Sequence, residues 1–191
     1  MKQHGQNQSD WLVLEQDECW FSRFKQTQQH QWAATGNQPR LVQREPTRHQ
    51  KDKAIACFGA VCQQTGRRYF YMCDGQPNTD YTILMLKQLL ATARDLGKRV
   101  LLILWDRASW HKSKSLYCWI RIHNLRAKQT GDVRLLTCLL PSKSPWLNSM
   151  EPHWVHAKRK VGEPDGKLSI MMLKRRLSAH FQVPLIEAHL N

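Results

Sequence analysis

The uninterrupted apolar run from Val100 to Trp105 constrains the fold more than any other feature of this sequence. A strand with one face in water alternates apolar and polar residues, whereas a strand covered on both faces does not. The run therefore predicts a central strand with helices on both sides. It is far too short to span a bilayer, and the Gln-rich opening of the chain has no signal-peptide core, so an integral membrane protein is excluded.

The rest of the chain divides into strands first and helices later. Three early β-rich segments are predicted to pair as hairpins, with residues 63–66 as one turn, and from residue 78 onward apolar residues recur at helical spacing. We expect an α/β fold, a mixed five-stranded sheet flanked by helices. The predicted elements are strands over 11–16, 54–62, 68–73, 100–105 and 133–140, a helix capped by Asn78 or Thr79 and ended by Gly97, a helix over 113–129, a helix from near Asn148, and a basic helix from 167 to about 181.

The length of 191 residues fits one domain with a core of its own. We expect a disordered lead over residues 1–10, a domain over 11–182 with a polar, irregular excursion over 25–50, and a tail over 183–191. The six cysteines show no CxxC pair and no zinc spacing, which indicates reduced, mostly buried thiols.

The charge balance points to a polyanionic partner. Lys and Arg number 29 against 15 Asp and Glu, a net charge of +14 at pH 7. A surplus of this size on one domain favours binding to nucleic acid or to an acidic membrane face. Acidic residues are scarce in such a chain, so the positions of individual carboxylates are informative.

Three acidic residues stand at positions where a metal site could form. Asp17 follows the first predicted strand, Asp106 follows the central strand, and Glu151 lies in the first turn of a predicted helix. Carboxylates at strand ends converge where α/β sheets bind ligands, and such a trio suits two-metal phosphodiester chemistry. Each residue taken alone is better explained as a turn residue, a cap or a partner of the helix dipole.

Flanking motifs carry a family resemblance. The segment LLPSKSPWLNSMEP over 139–152 resembles the L-P-x-x-S-P-x-L-N-P-x-E box of DDE transposases in the bacterial insertion-sequence branch of the mariner superfamily. WDRASWHKS over 105–113 resembles their D-N-A-x-x-H-x-S box, and Asp17 with Glu18 matches their Asp-Glu pair. Segments 32–36 and 57–61 are also similar, so the resemblance covers about residues 11–180.

The resemblance implies a ribonuclease-H-like fold with Asp17, Asp106 and Glu151 as a catalytic triad binding two divalent metal ions, Mg²⁺ or Mn²⁺. The family reaction is hydrolysis of a DNA phosphodiester at the transposon end, followed by attack of the freed 3′-hydroxyl on target DNA. No covalent protein–DNA intermediate is needed. Two positions depart from the family pattern, where Arg107 replaces Asn and Ser149 replaces Pro. The 44 residues between Asp106 and Glu151 also exceed the common family spacing, which we place in the helix after Asp106.

Several further residues are candidates for DNA contact. Glu18 is expected to point to the opposite strand face from Asp17 and not to bind metal. Trp154 is expected in the core, and His111 is expected to contact DNA, to order the metal site, or to cap the following helix. The candidate DNA-binding residues are Arg107, His111, Lys143, Trp146 (by stacking on a base), Lys158 and Arg159.

The resemblance also sets expectations about partners. We expect DNA (transposon ends and target), a homodimer on DNA, a separately encoded helix-turn-helix domain for end recognition, and no membrane partner. The expected location is the bacterial cytoplasm, in association with the nucleoid. Two alternatives stay open: a truncated, non-catalytic remnant that binds DNA through its charge, and a nuclease for RNA–DNA hybrids, against which the S-P-x-L-N box argues.

Overall fold

The computed structural model describes residues 10–23, 54–141, 145–161 and 168–182. The predicted excursion over 25–50, the 32–36 motif, Lys143, the tail and the lead before Asp10 lie outside the described residues. The strands are β1 (Trp11–Ser22), β2 (Ala54–Val61), β3 (Arg68–Asp74), β4 (Val100–Trp105) and β5 (Arg134–Leu139). The helices are α1 (Thr79–Asp95), α2 (Lys114–Thr130), α3 (Glu151–Val161) and α4 (Ile170–Phe181), with short 3₁₀ turns at Trp110–Lys112 and Pro145–Leu147.

The five strands form one mixed sheet in the order β3-β2-β1-β4-β5. β1, β2 and β3 pair antiparallel, while β4 pairs parallel with both β1 and β5. This confirms the predicted α/β class and the early hairpins. It also agrees with the ribonuclease-H-like fold that the resemblance implies.

The first strand is longer than predicted. We expected it to end at Gln16 with Asp17 just beyond it, but β1 continues to Ser22. The reason is a change of partner along the strand. Its pairing with β4 stops at Glu15–Leu104, whereas its pairing with β2 continues to Ser22–Ala54. Asp17 therefore lies within a strand, where its backbone is held by β2.

Helices lie on both faces of the sheet, but the second face of β4 packs in a cluster of Val13, Leu102, Leu104 and Leu140 that includes no residue of a described helix. One apolar cluster joins Leu14, Phe58 and Ile103 of the sheet to α1 and α2. A second cluster joins Phe21 and Ile55 to the apolar sides of α3 and α4. Each cluster buries large side chains on its own face, so the sheet is a rigid central layer.

Side chains cap the starts of α1 and α2. Asn78 caps α1 by accepting a hydrogen bond from the Tyr81 amide, and Ser113 caps α2 in the same way through Leu116. Gly131 ends α2 in the left-handed conformation, at φ 73°. None of the helices in the described part of the chain has both the length and the hydropathy needed to cross a membrane.

Candidate active site

The three predicted carboxylates line one cleft of about 560 Å³. Asp17 comes from β1, Asp106 directly follows β4, and Glu151 is the first residue of α3. The parallel register pairs Glu15 with Leu104, so β1 and β4 carry Asp17 and Asp106 to neighbouring positions two residues further on. Adjacent parallel strands thus bring two of the carboxylates to one edge, and α3 adds the third.

Asp17 is a partly buried carboxylate whose pKa is raised by its surroundings. Its Oδ2 accepts a hydrogen bond from the Trp154 indole nitrogen at 2.9 Å. Burial, and then the negative charges of Glu18 and Glu151, raise the pKa of Asp17 to about 7. Trp154 is buried as predicted, and the structure adds that this core residue orients a candidate metal ligand.

Asp106 is held by groups that follow it closely in the chain. Its Oδ1 accepts the Ala108 amide and His111 Nδ1, both at 2.8 Å. The hydrogen bond from His111 is the main reason that the pKa of Asp106 lies below its usual range, although partial burial opposes the shift. Both bonds use Oδ1, and the side chain is 54% exposed, so Oδ2 is the atom left for a metal ion.

His111 connects Asp106 to Glu18, a residue that was not expected to bind metal. The imidazole is fully buried, stacks on Trp105 with ring centroids 4.3 Å apart, and places Nε2 2.9 Å from Glu18 Oε1. Burial alone lowers the pKa of His111, but the hydrogen bonds and charges of Asp106 and Glu18 together raise it to about 9. The ring has no exposed surface, and in this conformation it orients Asp106. Its contact with DNA and its part in ordering a metal site stay predictions.

Glu18 points to the opposite strand face from Asp17, as expected, yet it belongs to the site. Its carboxylate accepts hydrogen bonds from His111 and, at 3.3 Å, from the Trp110 indole nitrogen. The sequence clue to this role is His111, which belongs to the second box. A buried histidine is charged at neutral pH when two carboxylates hold it, so an acidic partner besides Asp106 could have been sought near the site.

The segment before Glu151 is anchored to β1. Asn148 donates from Nδ2 to the Gln16 carbonyl at 2.9 Å and accepts the Met150 amide at 3.1 Å. The helix was predicted to begin near Asn148, and it begins three residues later because these residues form the anchored turn that precedes it. Beside it, Ser149 donates its amide and its hydroxyl to Oε2 of the buried Glu15.

A glycine in β2 lets α3 approach the sheet closely. A Cβ built on Gly59 would overlap the terminal methyl of Met150 and would lie 2.8 Å from the Trp154 ring. Gly59 belongs to the 57–61 segment that resembles the family. Its missing side chain allows the helix that carries Glu151 to pack directly on β2.

The donor set of the cleft fits a hard divalent cation. Carboxylate oxygens are the ligands that Mg²⁺ and Mn²⁺ prefer. Burial is the main cause of the raised pKa of Asp17, and the charges of Glu18 and Glu151 add to it. Within the described residues, the group with ligand atoms within 4.8 Å of one another is Glu18, Asp106 and His111. Asp17 and Glu151 do not belong to this group, and His111 already bridges its two carboxylates, so metal binding by Asp17, Asp106 and Glu151 stays a prediction.

The remaining candidates take different positions. Lys158 lines the cleft from the same side of α3 as Glu151, and Arg107 is exposed next to Asp106. Trp146 is 76% exposed in the turn before α3. Arg159 belongs to α3, and Lys143 lies outside the described residues. Their contacts with DNA stay predictions.

Comparison with solved structures identifies the fold. The Mos1 transposase paired-end complex with left transposon end matches with a TM-score of 0.58 at 15% sequence identity, over 96% of this chain and 52% of that one. A pre-cleavage Mos1 transpososome matches with a TM-score of 0.60 at 15% identity, over the same shares. The Mos1 mariner paired end complex with Mn matches with 0.54 at 16%, over 91% of this chain and 49% of that one. The chain thus spans about half the length of these transposase chains.

One family model matches most of the chain. No curated protein sequence is significantly similar to it. A family model described as DDE superfamily endonuclease matches residues 13–167. That range contains Asp17, Asp106 and Glu151, the three carboxylates that the fold gathers in one cleft. The chain belongs to the DDE superfamily endonucleases.

Proposed function

We propose that this chain is the catalytic domain of a DNA transposase, in the bacterial insertion-sequence branch of the mariner superfamily. It hydrolyses a phosphodiester at a transposon end and joins the freed 3′-hydroxyl to target DNA. The observation that carries the proposal is the convergence of Asp17, Asp106 and Glu151 on one cleft from two adjacent strands and a helix. The Mos1 structures of the same fold are complexes with a transposon end, which supports DNA as the substrate.

The residues of the cleft have separate tasks in this proposal. Asp17, Asp106 and Glu151 hold two divalent ions, Mg²⁺ or Mn²⁺; a Mos1 complex is described with Mn. Such ions, when bound, activate the attacking water or 3′-hydroxyl and stabilise the leaving oxygen. Glu18 and His111 fix the orientation of Asp106 through the bonds at 2.9 and 2.8 Å.

The basic and aromatic residues near the cleft position the DNA. Lys158 lies on its wall and Arg107 at its rim, where each supplies a positive charge for backbone phosphates. Lys143 and Arg159 are proposed to do the same from the flanking segments. The exposed indole of Trp146 is available to stack on an unpaired base.

We further propose that the active assembly is larger than this chain. Two active sites acting on paired ends require two copies, so we infer a homodimer on DNA. End recognition is assigned to a helix-turn-helix unit encoded separately, and the assembly works in the bacterial cytoplasm at the nucleoid.

A nicking assay on supercoiled plasmid tests the catalytic proposal. With Mg²⁺ or Mn²⁺ we expect the parent chain to nick the plasmid and Asp106→Asn to lose this activity while DNA binding persists. Asp95→Asn is the matched control, since Asp95 is an exposed carboxylate at the end of α1. Equal nicking by Asp106→Asn and the parent would contradict the proposal.

The strong positive charge also supports a binding-only remnant as a second candidate. That protein would bind DNA with steep salt dependence and no response to Mg²⁺. If the parent does not nick alone, the assay is repeated with the upstream reading frame supplied in trans. Nicking that appears only then supports the divided enzyme, and continued inactivity supports the remnant.

A further inference from the structure

A second cleft lies on the far side of α3 from the carboxylates. Glu151, Trp154 and Lys158 line the first cleft, whereas His153 and His156 line the second. At 3.6 residues per turn these two sets fall on opposite sides of the helix. The second cleft has a volume of about 580 Å³, close to that of the first.

The walls of this second cleft are cationic. Arg67 and Arg68 come from the turn and strand at β3, His153 and His156 from α3, and His180 from the end of α4. We call it the arginine–histidine cleft. None of the described residues that line it is acidic. Three separate elements therefore direct basic side chains, two arginines and three histidines, into the same space.

The contacts inside the cleft join basic side chains to one another. Arg68 lies 3.4 Å from His153 Nδ1, an arrangement that pairs a guanidinium with an imidazole instead of a carboxylate. Burial, and then the charges of Lys160 and His156, lower the pKa of His180. The pKa of His153 is lowered as well, so both rings are neutral at pH 7 and the positive charge of the cleft comes from Arg67 and Arg68. Two guanidinium groups in a cleft whose described lining holds no acidic residue favour an anionic ligand.

An aromatic floor limits the kind of anion that fits. Phe70 and Phe181 stack at the base of the cleft with ring centroids 4.2 Å apart. Cationic walls over an apolar base suit a phosphodiester chain, whose charged phosphates alternate with sugars that have apolar faces. An isolated small anion would leave this floor unused.

We propose that the arginine–histidine cleft binds the phosphodiester backbone of DNA at a segment other than the one being cleaved. The inference rests on the proposed function, since the carboxylate cleft across α3 takes the scissile strand. A helix with its side chains is about 10 Å wide, so DNA crossing α3 reaches both clefts at once. The second cleft then fixes the position of the DNA without contacting the reacting phosphate.

Removing the two arginines tests the proposal. Arg67 and Arg68 are exposed, so Arg67→Ala/Arg68→Ala leaves the core intact, which a thermal unfolding curve checks. The matched control is Arg121→Ala/Arg126→Ala, which removes the same charge from the exposed face of α2. All variants carry Asp106→Asn, and binding to a short DNA duplex is followed by fluorescence anisotropy over a salt series without divalent ions.

We expect the cleft pair to weaken binding about tenfold and to reduce the salt slope by about 2, one for each lost phosphate contact. The control pair should change the affinity less than twofold. Equal losses from both pairs, or no loss from the cleft pair, would overturn the proposal. So would displacement of the DNA by polyglutamate in the parent but not in the cleft variant, because that result assigns the cleft to an acidic protein segment.

The readout separates this proposal from the catalytic one. Binding is measured without cleavage, so a selective loss from the cleft pair supports the arginine–histidine cleft even if the parent never nicks plasmid. Conversely, a parent that nicks plasmid while the cleft pair binds DNA as tightly as its Asp106→Asn background would leave the catalytic proposal intact and overturn the cleft.

Discussion

Ser149 donates both its amide, at 2.8 Å, and its hydroxyl to Oε2 of Glu15, a carboxylate that is 1% exposed within β1. The pair joins the strand that carries Asp17 to the turn that carries Glu151. Gln63 adds a hydrogen bond to the Ser149 hydroxyl at 2.7 Å. The family pattern has proline at this position, and proline has neither donor. Ser149 therefore supplies two hydrogen-bond donors to Glu15, a buried acid that lies two residues before Asp17.

Substitutions at Ser149 should lower the free energy of unfolding, and Ser149→Pro should lower it more than Ser149→Ala. Ser149→Ala removes the hydroxyl donor and should lower the free energy of unfolding by about 1.5 kcal/mol, as for a hydrogen bond to a charged group. Ser149→Pro removes both donors from a buried carboxylate and should cost about 3 kcal/mol. Urea denaturation measures both changes. Glu15→Gln should make Ser149→Pro less costly, and a cycle with no coupling between the two positions would contradict the pairing.

Sequence reasoning located the features that are local in the chain. The apolar run of β4, the Asp106 that follows it and the cap at Asn78 depend on neighbouring residues, and all lie where they were expected. Alternation along β1 also placed Glu18 on the face opposite Asp17. Such signals are short-range, so pattern and propensity are enough to find them.

The features that were not predicted depend on partners far along the chain. The extra length of β1 follows from pairing with β2, more than thirty positions away. Glu15 and Ser149 are 134 positions apart, and Glu18 and His111 are 93 apart. Each residue looks ordinary in its own segment, because its role exists only when the sheet and α3 have assembled.

A larger residue at position 59 should disturb the candidate site by displacing α3, which carries Glu151 and Trp154. The added methyl of Gly59→Ala falls on Met150 and close to Trp154, so α3 must shift away from β2. We expect a loss of about 2 kcal/mol in stability, as for other overpacked cores, and reduced nicking because the Trp154 bond to Asp17 is displaced. Adding Met150→Ala removes the nearest obstacle and should restore part of both. Full stability in Gly59→Ala alone, measured by urea denaturation, would contradict the close packing.

Metal binding should depend on pH through Asp17. The pKa of Asp17 is raised to about 7 in the metal-free protein, so below pH 7 the group is largely protonated and a poor ligand. We expect Mn²⁺ affinity to rise as pH increases through 7, with proton release on binding below that pH, measured by calorimetry in buffers of different ionisation enthalpy. Trp154→Phe removes a hydrogen bond that lowers this pKa, and it should move the profile to higher pH. A profile that stays the same in Asp17→Asn would assign the proton elsewhere.

Neutralising Glu18 should impair catalysis without impairing DNA binding. His111 is held between Glu18 and Asp106 at 2.9 and 2.8 Å, and Glu18→Gln removes one of the two charges that keep its ring protonated and in place. Because Asp106 is then less firmly oriented, we expect nicking to fall about 10-fold or more, as for other residues that support metal ligands. Affinity for duplex DNA without metal should stay within twofold of the parent. A proportional loss of binding and nicking would show that Glu18 acts through the fold and not through Asp106.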